Sequence, residues 1–174
     1  MADRVIDLAA SSIVIRTKAK GLLARLAHDL EIRADGFEGN VASDGERWQV
    51  DLTFAVNKLT VVGALKSGRV DSSVLSESDR REIERKIREE VFVGGAVTVS
   101  GSGKNDRGDL TVSAPAGKQS VQVRLDVKQD GGTTTASGSV QLSLARLGVK
   151  EIKAPLGAFK VADLVEVIAR VVVT

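Results

Sequence analysis

Alternation of apolar and polar residues is the feature that most constrains the fold of this chain. In segment 47–56 every second residue is apolar: Trp48, Val50, Leu52, Phe54 and Val56. Segment 120–128 follows the same rule: Val121, Val123, Leu125 and Val127. Successive side chains of a β-strand point to opposite faces, so a period of two predicts strands with one buried and one solvated face.

The remaining strands follow from the same pattern and from the turns between them. Further strands are predicted in these segments: 11–18, 28–34, 96–100, 110–112, 140–144 and 159–173. Turn-forming residues separate them, as in Asp35-Gly36, and the glycine-rich stretch 101–108 is expected to be a flexible turn. Short alternating strands with such punctuation predict one all-β domain over residues 1–174, a closed antiparallel barrel of about eight strands.

One segment, 76–93, is predicted to be a helix on the surface of the barrel. Ser76 is suited to the N-cap position, Asp79 follows three residues on, and Gly94 ends the segment. Apolar residues recur at helical spacing in a narrow stripe: Ile83, Ile87 and Val91. Two charge pairs of favourable order are expected on the exposed face: Glu82–Lys86 and Glu84–Arg88.

Composition excludes several kinds of chemistry. The chain contains no cysteine and only one histidine, so thiolate and multi-histidine metal sites are excluded, and we expect no metal and no cofactor. A catalytic triad would have to use His28, but Asp29 is its neighbour in a predicted strand and would point to the opposite face. We therefore expect no enzyme, and His28 either forms a structural hydrogen bond or contacts a ligand.

Charge and hydropathy also limit the partners. The net charge is +2 with both signs mixed along the chain, and aromatic residues make up only 3%, which argues against nucleic-acid binding. No apolar run is long enough to span a membrane. The first residues lack the apolar core of a secretory signal, so a cytoplasmic location is expected. A homodimer is compatible with this sequence.

The apolar faces leave two interpretations open. Four phenylalanines and one tryptophan supply little bulk to fill the interior of a barrel of this size, which favours an open cavity for one ligand. Interiors rich in valine can also pack tightly, which would leave a solid core.

Three stretches then indicate a family. Residues 21–30 end in His-Asp-Leu. Residues 108–112 read Gly-Asp-Leu-Thr-Val, followed by Gln-Ser-Val-Gln-Val in 119–123. Residues 146–150 read Arg-Leu-Gly-Val-Lys, and 156–167 form an apolar closing segment. In this order and spacing the stretches resemble the YceI-like family of lipocalin-like, polyisoprenoid-binding β-barrels.

That resemblance implies a barrel with a helix near one end and a lipid tail bound inside. The expected function is non-catalytic binding of an isoprenoid or another lipid. The alternatives are a ligand-free barrel that serves protein interaction or a stress response, and a small cofactor-free enzyme that uses His28. The predicted ligand residues are His28, Trp48, Val50, Leu52, Phe54, Val123, Leu125, Leu142, Phe159, Val161 and Val165. Lys153 and Lys160 are candidates for contacting a polar head group at a rim.

Overall fold

The structure is a computed structural model that describes residues 1–21, 27–153 and 160–174. The described residues form fifteen strands: β1 (Ala2–Arg4), β2 (Ser12–Thr17), β3 (Ala19–Lys20), β4 (Asp29–Ala34), β5 (Glu38–Ser43), β6 (Arg47–Ala55), β7 (Leu59–Lys66), β8 (Arg69–Asp71), β9 (Ala96–Lys104), β10 (Arg107–Ala114), β11 (Gly117–Arg124), β12 (Asp126–Asp130), β13 (Thr133–Ser143), β14 (Lys160–Val161) and β15 (Leu164–Val173). Their helical elements are a 3₁₀ turn (Val56–Lys58), the helix α1 (Glu77–Lys86) and a π-helical turn (Ile87–Val91).

The strands pair in antiparallel fashion in two large sheets and one small ribbon. The first sheet has the order β1-β5-β6-β9-β10-β11, and the second has the order β12-β13-β15-β2-β4-β7-β8. Strands β3 and β14 form the ribbon. The all-β prediction is therefore confirmed, and the antiparallel pairing with it.

Two stretches of chain link the sheets. On one side β11 continues into β12 through the single residue Leu125. On the other side the chain after β1 joins β15, because Val5 and Thr174 exchange backbone hydrogen bonds of 3.0 and 2.9 Å. Both sheets also contribute to one core cluster, in which Ile13 of β2 is buried with Leu52 of β6. The apolar faces of the two sheets therefore share an interior.

Two details of the strand prediction are wrong. The stretch 101–108 is not a flexible turn, since β9 runs on to Lys104 and β10 begins at Arg107. The number of strand segments exceeds about eight for two reasons. Long strands are interrupted, since β11 and β12 are separated by one residue and the predicted strand 159–173 is split into β14 and β15. Short interruptions of this kind do not disturb the apolar period from which the prediction was made. The other five extra strands were not predicted: β1, β3, β5, β7 and β8.

Strand β7 was not predicted, and a β-bulge explains why. Ile32 of β4 pairs with Val61, whereas Glu31 pairs with Gly63, so Val62 is left without a partner opposite it. The extra residue shifts the side-chain parity in the middle of the strand. Val61 and Ala64 are consequently both buried although they are three positions apart, and the alternation of a regular strand is lost.

The helix starts as predicted and ends differently. The Ser76 hydroxyl accepts a hydrogen bond from the Asp79 N–H, and the Asp79 carboxylate accepts one from the Ser76 N–H, which completes a capping box. After Lys86 the backbone widens into the π-helical turn, in which the Phe92 N–H donates to the Ile87 carbonyl at 3.0 Å. Among the described residues no helix is long and apolar enough to cross a membrane.

A side-chain carboxylate holds α1 to the sheet, in addition to the apolar stripe. Glu84 was expected to pair with Arg88, but its Oε1 atom instead accepts the backbone N–H of Val61 at 2.9 Å. Val61 lies beside the bulge, where the normal ladder is interrupted. The Glu84 carboxylate therefore accepts a hydrogen bond from a backbone N–H that has no partner in the strand ladder at the bulge.

We expect Glu84→Ala to loosen the helix from β7. A hydrogen bond to a charged acceptor contributes on the order of 2 kcal/mol, and its loss also leaves the Val61 N–H unsatisfied. Hydrogen exchange should therefore quicken at the Val61 amide and along α1. Glu82→Ala is the matched control, because Glu82 forms only an exposed ion pair with Arg85, and such pairs contribute little. Equal exchange rates in the two variants would contradict the docking role.

Candidate ligand-binding cavity

The interior between the sheets contains a cavity of about 710 Å³. This volume lies within the range of small-molecule sites, which is roughly 300–1,000 Å³. Its wall is formed by the inward-facing, mostly apolar side chains of strands from both sheets, together with residues of the helical segment. The sequence expectation of an open cavity is thus matched by space in the structure.

The predicted ligand residues fall on this wall almost without exception. The following line the cavity: His28, Trp48, Val50, Leu52, Phe54, Val123, Leu125, Leu142, Val161 and Val165. Phe159 lies outside the described residues. Their contact with a ligand stays a prediction, whereas their position on one shared surface is a structural fact. On the regular strands alternation brings them to one surface, because parity along a strand decides which face a side chain occupies.

Other lining residues were within reach of the same rule but were not singled out. They lie on β2, β9 and β10: Ile13, Ile15, Val97, Val99, Leu110 and Val112. On β9 and β10 polar residues such as Thr98 and Thr111 separate them, so the parity argument could have identified these four. On β2 Val14 lies between Ile13 and Ile15, and the pattern there does not show which face is buried.

One end of the cavity carries a cluster of basic side chains, which we call the basic rim: Lys18, His28, Lys153 and Lys160. The ribbon brings them together, since Val161 pairs with Ala19 and an isolated bridge joins Lys153 to Lys160. The Ala162 N–H donates to the Lys18 carbonyl at 2.8 Å, which fixes the chain on the other side of the ribbon.

A single carboxylate is shared by two lysines of the basic rim. Glu151 lies 2.5 Å from the Nζ atom of Lys160 and 3.2 Å from that of Lys153. The hydrogen bond from Lys160, followed by that from Lys153, lowers the pKa of Glu151 below its usual value. The basic rim keeps an excess of positive charge, because Glu151 and Asp29 offset only part of the charge of its three lysines.

His28 precedes β4 directly and has an exposed side chain. Its neighbour Asp29 is engaged elsewhere, because its Oδ1 atom accepts the backbone N–H of Ala19 at 2.8 Å. This bond ties Asp29 to the ribbon, and that Asp29 does not orient the imidazole stays a prediction. An exposed imidazole on the basic rim can donate one hydrogen bond and accept another, as anchoring a polar head group requires.

We expect His28→Ala to leave the melting temperature nearly unchanged, since substitutions of exposed residues usually alter stability by no more than about 0.5 kcal/mol. Affinity for an amphiphile with a polar head group should fall by roughly 1–3 kcal/mol if the imidazole anchors it. Thermal unfolding and a binding titration on the same preparation measure both. A lower melting temperature with unchanged affinity would instead make His28 structural.

Trp48 lies towards the opposite end of the cavity. This residue pairs with Ser43 of β5 and with Gly103 of β9, and Gly103 in turn pairs with Gly108 of β10. A Cβ atom added at either glycine would lie 2.3 Å from Cζ2 of the indole. The ring therefore lies flat on two glycines, and its Nε1–H donates to the Asn105 carbonyl at 3.2 Å.

The described residues contain no group of three or more histidine, aspartate or glutamate side chains that could hold a metal ion. What the fold and the site define together is an antiparallel β-protein with an internal apolar cavity that is basic at one end. No protein-family model matches the chain. A search of curated proteins by sequence also finds no match.

Comparison with solved structures gives a clear likeness of fold. The chain superimposes on the crystal structure of Burkholderia cenocepacia BcnA with a TM-score of 0.68. The match covers 98% of this chain and 100% of BcnA at 16% sequence identity. The two proteins therefore share a fold over their whole length.

Proposed function

We propose that this protein binds one apolar or amphipathic small molecule, an isoprenoid or another lipid, without catalysing a reaction. The observation that carries the proposal is the cavity of about 710 Å³, which is lined by apolar side chains of both sheets. Burying a lipid tail in such a space releases roughly 0.8 kcal/mol for each methylene group. A wall of this kind binds an apolar tail and presents few polar side chains that could take part in a reaction.

We further infer that the two sheets close into a lipocalin-like barrel and that the chain is YceI-like. The links through Leu125 and through the Val5–Thr174 pair support closure, since they join the sheets at two places. The likeness in fold to BcnA and the three sequence stretches described above support the family. Cytoplasmic location and a homodimer stay predictions.

The experiment is to extract the purified protein and identify what it retains. Native mass spectrometry should show a bound species of lipid mass that is released by organic extraction. The extracted protein should then bind palmitic acid with a stoichiometry of one. A preparation that retains nothing and binds neither palmitic acid nor farnesol would contradict the proposal and favour a ligand-free interaction module.

A further inference from the structure

The two ends of the cavity differ in charge. The basic rim contributes three lysines and His28 to the lining, against the nearby carboxylates of Glu151 and Asp29. The Trp48 end contributes one charge of each sign, Arg4 and Glu46, and Glu46 also pairs with Lys104 at 3.5 Å. An anionic head group is therefore attracted to the basic rim, and an apolar tail then extends towards Trp48.

The ends are separated by most of the length of β15. This strand begins beside the ribbon that carries the basic rim, where the Leu144 N–H donates to the Asp163 carbonyl. It ends at Val173, which bridges to Ile6 just after β1. Between Val165 and Val173 a strand extends over roughly 27 Å. A straight chain bound between the two ends would therefore extend along β15, and its length determines how far it reaches.

Trp48 lies at the far end of that direction, on the inner face of the first sheet, and cannot easily move aside. Its ring rests on Gly103 and Gly108, where even a methyl group would not fit. The hydrogen bond to the Asn105 carbonyl fixes the rotation of the ring. Such a large and supported side chain narrows the cavity at this end, whereas Val50 on the same strand presents a smaller side chain to it.

From this geometry we propose that Trp48 is a specificity-determining residue that limits the length of the apolar chain the cavity accepts. The inference rests on the proposed function and adds the class of ligand, a straight-chain amphiphile with an anionic head group at the basic rim. Each added methylene should raise affinity about fourfold while it is buried. The increase should stop at the chain length at which the tail reaches the indole.

The first experiment uses the unaltered protein. Trp48 is the only tryptophan of the chain, so its fluorescence reports on this end of the cavity alone. Fatty acids from decanoic to icosanoic acid, each carrying bromine on the terminal carbon, are titrated into the delipidated protein. Short acids should bind without quenching, and quenching should begin at the length at which affinity stops rising. Stronger quenching by acids brominated next to the carboxylate would overturn the proposal, because the head group would then lie at Trp48.

The second experiment compares variants with the unbrominated acids. For Trp48→Ala, affinity should keep rising with chain length beyond the length at which the affinity of the natural protein stops increasing. Val50→Ala is the matched control, and it should weaken binding of all lengths without moving the plateau. Trp48→Phe should move the plateau less than Trp48→Ala.

The outcomes separate the two proposals. If the acids bind but the plateau is the same in Trp48→Ala and the natural protein, the length limit is wrong while the proposed function stands. If no acid binds the natural protein, the proposed function for this ligand class fails and the length limit fails with it. Should Trp48→Ala fail to fold, the quenching series on the natural protein still decides the matter.

Discussion

Gly39→Ala is expected to produce the largest loss of stability of any single methyl addition considered in this chain. Gly39 lies in β5 with φ at +149°, and an added Cβ would lie 2.0 Å from the Asp51 carbonyl oxygen of β6. The two strands would have to separate, and the backbone would carry strain in addition. We expect the free energy of unfolding to fall by on the order of 3 kcal/mol.

Gly45→Ala provides the matched control for that substitution. Gly45 lies in the turn between the same two strands, with φ at +94°, but an added Cβ meets no atom within 4 Å. It should therefore cost only the conformational strain, about 1 kcal/mol. Urea unfolding of both variants measures the difference. Equal losses would mean that strand separation at Gly39 carries no extra cost.

The wall of the cavity was predictable from the sequence because it depends on local parity. Val50 and Leu52 are two residues apart in one strand, and Val123 follows the same rule in another, so all three point inward wherever the strands pair. The same reasoning failed for β7, since the bulge at Val62 breaks the parity. Local pattern thus predicts the faces of regular strands but not where a strand is irregular.

The ends of the cavity were predicted only in part. Lys153 and Lys160 were proposed at a rim from the sequence, but the packing of both ends depends on partners distant in sequence. Nothing near Trp48 in the chain indicates that it rests on Gly103 and Gly108. The basic rim is assembled by a ribbon of two-residue strands, too short to show any alternation. Glu84 likewise had a credible partner one helical turn away, and only the bulge beside Val61 explains why it binds there instead.

Val167→Phe should abolish most ligand binding while preserving the fold. Val167 lies in the middle of β15, pairs with Ile15 and Val140, and lines the cavity. A phenyl ring at this position would occupy space that a bound tail needs, so affinity should fall at least about tenfold, equivalent to roughly 1.4 kcal/mol. In an open cavity the ring finds room, and the melting temperature should stay the same or rise.

The same variant distinguishes an open interior from a packed one. Inserting extra bulk into a tightly packed core typically costs about 1–3 kcal/mol, because side chains and backbone must shift. A fall in stability of that size would contradict the cavity and favour the ligand-free alternative. Ile168→Phe is the control, since Ile168 is the next residue on β15, pairs with Val14 on the other face of the sheet and is only half-buried. Ile168→Phe should change neither ligand affinity nor stability appreciably. Added volume should therefore weaken ligand binding only at the inward-facing position.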